Sequence, residues 1–206
     1  MSDNLPTHIK KNFIIHIAFS KTGSTLLQEN LKLIKKENFK FFVPPDEFTE
    51  ILLDYLSKPD EIKKNNICNI VNNIKEKNII ISHERIIGHQ SNGFNDVNTR
   101  FNLLENLFQN PRYIIFFREP SSIIYSAYFQ GLQKKHNLNF YEYVNKDLKE
   151  LYKTNVKNFA QCTNYKIYDY NFILRDYLNI KNRVLFIDYE DFFSSTNINL
   201  WSSIFR

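Results

Sequence analysis

Cysteine, tryptophan, methionine and glycine are all scarce in this 206-residue chain, which has two, one, one and four of them. Cys68 and Cys162 show neither CxxC spacing nor a Cys/His cluster, so no structural zinc is expected, and both are predicted to be reduced core thiols. No apolar run reaches the roughly 18 residues of a membrane span, and the opening "MSDNLPTHIKKN" has no apolar segment of signal-peptide length. The sequence therefore predicts a cytoplasmic protein without a membrane span. Long basic runs are missing as well. A formal charge of +5 and a pI near 9.0 give only a mild preference for anionic ligands, and no nucleic-acid partner is indicated. Repeats, linkers and low-complexity tracts are absent, which leaves a single domain over 1–206 as the expectation. Its 43% hydrophobic and 16% aromatic content excludes a disordered chain.

What is present alternates. Short runs rich in Ile, Phe and Val at residues 13–19, 78–82, 113–117 and 183–187, with a weaker one at 39–43, are separated by segments of helical period. That is the pattern of an α/β domain whose parallel strands are covered on both faces. In "PPDEFTEILLDYL", Phe48, Ile51, Leu52, Tyr55 and Leu56 form one helical stripe; Phe140, Val144, Leu148, Leu151 and Tyr152 form another. Residues 60–77 and the stretch "GHQSNGFNDVN" are polar enough to predict surface excursions.

The first chemistry-bearing stretch is "FIIHIAFSKTGSTLLQENL". A buried strand gives way to Ser20, Lys21, Thr22, Gly23, Ser24 and Thr25, and then to a helix through Leu26, Leu27 and Leu31. Free N–H groups and the positive dipole end at that helix N-terminus suit a phosphate; Gly23 lets the backbone approach, the hydroxyls add donors and Lys21 adds a charge. The alternative is an ordinary strand-to-helix turn with a Ser or Thr cap. The stretch does not match G-x-x-x-x-G-K-[ST], because Gly23 is followed by Ser and no glycine stands five residues earlier. The second stretch, "YIIFFREPSSIIYSAY", takes Arg118 off a strand and starts a helix near Pro120, with Ser122 and Ser126 one turn apart on one face. Arg118 and Ser126 can converge on a phosphate dianion; alternatively Arg118 pairs with Glu119 and Ser126 only packs. Both stretches follow the carboxyl ends of predicted parallel strands, the edge where open α/β sheets bind ligands.

Together these residues resemble the sulfotransferases that use 3'-phosphoadenosine 5'-phosphosulfate (PAPS). "FSKTGSTLLQ" is similar to the family's 5'-phosphosulfate loop, in the KTGST version of carbohydrate and bacterial members. Arg118 with Ser126 is similar to its 3'-phosphate signature, and "RVLFIDYEDFF" resembles a later strand and Tyr-Glu-Asp segment. The resemblance implies a three-layer P-loop-like fold around a parallel sheet of about five strands, ending before the C-terminal portion that many members carry. It implies PAPS as donor without a metal, bound by Lys21, Thr22, Gly23, Ser24, Thr25, Arg118 and Ser126. It also implies transfer to an acceptor hydroxyl on a carbohydrate or small molecule, with Lys21 at the leaving oxygen. The base is expected after the strand in "NIIISHERIIG", where Glu84 is favoured over His83; alternatively His83 is a solvent-facing cap and Glu84 pairs with Arg85. His16, within the first strand, is expected to be a hydrogen-bonded core residue. Two rivals stand beside this reading: a P-loop kinase, in which Asp188 holds magnesium, and an inactive relative that binds the donor or its product.

Overall fold

The computed structural model describes residues 11–19, 21–33, 37–88, 93–133, 139–145 and 168–194. Five strands, β1 (Asn12–Ala18), β2 (Phe39–Phe42), β3 (Asn78–Ser82), β4 (Arg112–Phe117) and β5 (Val184–Asp188), form one parallel sheet in the order β2-β3-β1-β4-β5. All five predicted strands are present, each within one residue of its expected bounds.

Alternation along β1 decides what lies on each face. Phe13, Ile15 and Ile17 point into the larger core, built with α2 (Glu47–Ser57), α3 (Glu61–Asn72), α4 (Val97–Leu107), α5 (Pro120–Gln133) and α6 (Phe140–Val144). Two short helices, α7 (Tyr170–Ile173) and α8 (Arg175–Asn179), add Ile173 and Tyr177 to it. Ala18 points the other way, into a smaller core with Leu27 and Leu31 of α1 (Ser24–Leu33), Ile114 and Phe116; Phe192 of α9 (Tyr189–Ser194) packs there too. Helices on both faces explain why the strands read as continuous apolar runs and not as alternating ones. Each fully buried Ile of β1 or β3 is worth roughly 2 kcal/mol in area removed from water.

The stripe of "PPDEFTEILLDYL" is α2, started by Asp46, whose side chain accepts the Thr49 N–H, rather than by the two prolines. Of the second stripe, Phe140 and Val144 lie on α6, and Leu148, Leu151 and Tyr152 fall outside the described residues. Residues 60–77 are not a surface excursion: Asp60 caps α3, and Ile67 and Val71, four apart, are fully buried. Only these two of its apolar residues are fully buried, while Ile62 is exposed, so the stripe among Lys and Asn was too broken to read. In "GHQSNGFNDVN", Phe94 and Val97 also belong to the core. Cys68 is half-buried on α3, its thiol pushed up by burial; Cys162 lies outside the described residues. Among the described residues no helix is long and apolar enough to cross a membrane.

Chain connections leave β1 toward β2 and β3 on one side, and leave β4 toward β5 on the other. The carboxyl ends of β1 and β4 therefore flank a topological switch point, where such sheets open a crevice.

Candidate active site

Beyond β1 the chain turns tightly before α1. Lys21 and Gly23 adopt left-handed backbone angles, φ 67° and 75°. Gly23 does so freely; Lys21 holds a conformation that costs an L-residue about 1 kcal/mol or more, the kind of strain found where a backbone is shaped for a ligand. Thr22 pins the turn from inside, its buried hydroxyl donating to the Phe19 carbonyl at 2.6 Å. The Gly23 carbonyl accepts from the N–H groups of Leu26 and Leu27, which starts the helix. The first turn of α1 carries no acidic residue of its own to offset its positive dipole end.

A cleft of about 430 Å³ opens at this point, lined by Lys21, Gly23, Ser24, Thr25, Glu84, Arg118, Ser126, Gln130 and Tyr189. Seven of the nine predicted site residues are thus brought together. The other two, Thr22 and His83, are not among its walls. Arg118 Nη1 reaches the Lys21 carbonyl at 3.4 Å across 97 positions of sequence, so the two basic motifs meet directly. Arg118 does not pair with Glu119. Its Nε donates to Glu190 at 3.0 Å, and its guanidinium lies 4.2 Å from the centre of the Tyr189 ring. Glu119 instead accepts from the hydroxyl of Ser121 and the N–H of Ser122, holding the start of α5. These hydrogen bonds draw its carboxyl below the usual range. Ser126 follows, with Gln130 one turn further along the same helix.

Glu84 and His83 follow β3 and separate cleanly. The Ser24 hydroxyl donates to Glu84 at 3.3 Å, which ties that exposed carboxylate to the loop after β1. His83 is buried and caps the 3-10 turn Glu84–Ile87, its Nδ1 accepting the Arg85 N–H at 3.0 Å. The neutral ring therefore carries its proton on Nε2, 4.0 Å from Glu50, and its lone pair is already used. Burial first, and then the Arg85 charge, holds the ring's pKa down at about 4 against the pull of Glu50. The turn itself is anchored from behind. Buried Arg100 donates to the Arg85 carbonyl at 3.0 Å and pairs with Asp96 at 2.5 Å. Gly88, at φ 130°, leaves room for Asp96, whose carboxylate oxygen would lie 2.7 Å from any Cβ there.

His16 behaves as a core residue: fully buried, it shares a 2.8 Å hydrogen bond with Ser82, and burial lowers its pKa to about 3. His89 and His136 lie outside the described residues. Asp188 accepts the Glu190 N–H at 2.8 Å at the start of α9. Among the described residues, no group of three or more His, Cys, Asp or Glu is placed to hold a metal ion. Sequence reasoning missed Gln130, Tyr189 and Glu190 as neighbours of the cleft. The Tyr-Glu-Asp likeness pointed to Tyr189 and Glu190, and nothing pointed to Gln130.

No curated protein matches the sequence significantly. Among solved structures, a sulfotransferase from Alicyclobacillus acidocaldarius aligns with a TM-score of 0.60 at 15% identity, over 90% of this chain and 75% of that one. A sulfotransferase domain from the curacin biosynthetic pathway gives 0.48 at 15% identity, over 88% of this chain and 68% of that one. A mouse sulfotransferase complexed with PAP gives 0.46 at 14% identity, over 94% of this chain and 60% of that one. At such identities the first superposition speaks for the fold alone. The sequence itself matches the sulfotransferase domain model over residues 11–198, nearly the whole chain, and so the chain belongs to the sulfotransferase family.

Proposed function

We propose that this sulfotransferase takes its sulfuryl group from PAPS and passes it to a hydroxyl of a polar acceptor, a carbohydrate or a small molecule. The observation that carries the donor assignment is the meeting of Arg118 and Lys21 at one cleft. One loop, with its helix N-terminus, Lys21, Ser24 and Thr25, suits the 5'-phosphosulfate; Arg118 and Ser126 suit a second phosphate. A donor with separate 5' and 3' phosphates uses both. The KTGST sequence of the loop and the mainly polar side chains of the cleft support a polar acceptor.

In this reading the acceptor oxygen attacks sulfur as the bond from sulfur to the 5'-phosphate oxygen breaks. Glu84 takes the acceptor proton, and Lys21 carries the negative charge that develops on the leaving phosphate. Glu84 is the better base because its carboxylate faces the cleft, whereas the His83 lone pair is bound in the cap. We place the reaction in the cytoplasm and without a metal. Calorimetry tests the donor: adenosine 3',5'-bisphosphate should bind with magnesium chelated and raise the melting temperature. Binding of ATP that depends on magnesium, with none of the bisphosphate, would turn the reading toward a kinase. Bisphosphate binding without transfer to any member of an acceptor panel would indicate an inactive relative.

A further inference from the structure

We infer that Tyr170 is a positioning residue for the second phosphate site, its hydroxyl fixing the backbone of Arg118 and so aiming the guanidinium into the cleft. The inference rests on the role proposed above for Arg118. Arg118 stands where β4 has ended and α5 has not begun, with only Glu119 between it and Pro120. Backbone groups at such a strand tip have left the sheet ladder and need other partners. Tyr170 supplies both: its hydroxyl accepts the Arg118 N–H at 3.4 Å and donates to the Arg118 carbonyl at 2.5 Å, from 52 positions further along the chain.

The ring that carries this hydroxyl is itself held. It packs 4.8 Å from Phe19, the residue that follows β1, and 6.1 Å from Phe117, the last of β4, so it is wedged between the two strand ends that flank the crevice. Its backbone starts α7, where the Asp169 side chain accepts the N–H groups of Asn171 and Phe172. Burial pushes the phenol up to about 12, so it remains a donor at neutral pH. Glu190 and Tyr189 engage the charged end of Arg118, and Tyr170 engages its backbone. A guanidinium whose root is fixed loses less freedom on gripping a phosphate, which is how positioning adds affinity.

Tyr170→Phe removes the hydroxyl and keeps the ring contacts. In calorimetry it should weaken adenosine 3',5'-bisphosphate about tenfold and leave adenosine 5'-phosphosulfate within about twofold, since only the first ligand uses Arg118. Added to Arg118→Ala, it should cost less than about twofold more, because the two act through one group. Tyr113→Phe is the control for general loosening; it loses a hydrogen bond to Glu105 from a phenol remote from the cleft and should leave bisphosphate affinity unchanged. Equal losses for the two ligands, additive losses in the double variant, or no loss at all would overturn the positioning role. Amide exchange at Arg118, read without ligand, should be faster in Tyr170→Phe. If the wild-type chain fails to bind the bisphosphate, the donor assignment is what falls, and unchanged exchange would then overturn the clamp as well.

Discussion

The two basic corners of the cleft are built in opposite ways. The corner after β1 is local: Lys21 to Thr25 form its turn, Thr22 ties it to Phe19, and α1 supplies the dipole, all within a few positions of sequence. The corner after β4 is assembled from afar. Arg118 depends on Tyr170 for its backbone, on Glu190 and Tyr189 for its charged end, and touches Lys21 across the cleft. A local corner can be damaged at few positions, each with a large effect, whereas a distributed one spreads its effect over several partners. The first should govern whether any sulfated or phosphorylated donor binds and reacts, and the second should govern which donor is preferred.

The comparison is tested most severely at Lys21. Lys21→Ala should lower sulfuryl transfer by about a thousandfold at saturating donor, because the charge on the leaving phosphate loses its cation. Retention of more than a tenth of the wild-type rate, in an assay following release of the bisphosphate, would remove Lys21 from the chemistry. The next effect is on stability. His16 lies in β1, under the local corner, with its pKa lowered to about 3 by burial, so the unfolded chain binds a proton there below pH 6.5 that the folded chain refuses. Stability should therefore fall as pH drops through that window, by about 3 kcal/mol from His16 alone between pH 6.5 and 4. His83, with its pKa lowered to about 4, adds in the same direction. Urea unfolding should show this slope and His16→Asn should flatten it; an unchanged slope would mean that His16 does not set it. Glu84→Gln should reduce turnover about a hundredfold while donor affinity, read by calorimetry, stays within about twofold.

Legibility in the sequence followed the same division. The sheet was readable because strands covered on both faces must be apolar throughout, and runs such as residues 78–82 carry that signal unaided. The loop from Lys21 to Thr25 was readable because turn, hydroxyls and helix start are contiguous. Arg118 and Ser126 were readable as residue types, but the partners of Arg118 were not: the neighbour in sequence, Glu119, spends its carboxylate on the start of α5, and the true partner, Glu190, is 72 positions away. Nor could spacing show that the Thr22 hydroxyl faces inward or that His83 caps its turn from a buried position and not a solvent-facing one. Helix α3 was hidden for a different reason: two buried residues sufficed to seat it, and its Asp60 cap was the remaining signal.

The distributed corner yields to smaller perturbations. Arg118→Ala should weaken the bisphosphate about thirtyfold and adenosine 5'-phosphosulfate hardly at all; equal loss for both would show that Arg118 serves the whole cleft. Glu190→Gln should act in the other direction. The Glu190 carboxylate takes the Arg118 Nε at 3.0 Å and is itself largely exposed, so the pair is worth little as a stabilising contact. A phosphate dianion that approaches Arg118 must share or displace this carboxylate and is repelled by it while it remains. Removing the charge and keeping the shape should tighten the bisphosphate about fourfold, with a smaller gain at high salt, where the repulsion is screened. The 5'-phosphosulfate without a 3'-phosphate should gain less. If Glu190→Gln weakens the bisphosphate, then the carboxylate helps to hold Arg118 in its binding position, and the distributed corner depends on Glu190 as much as on Tyr170.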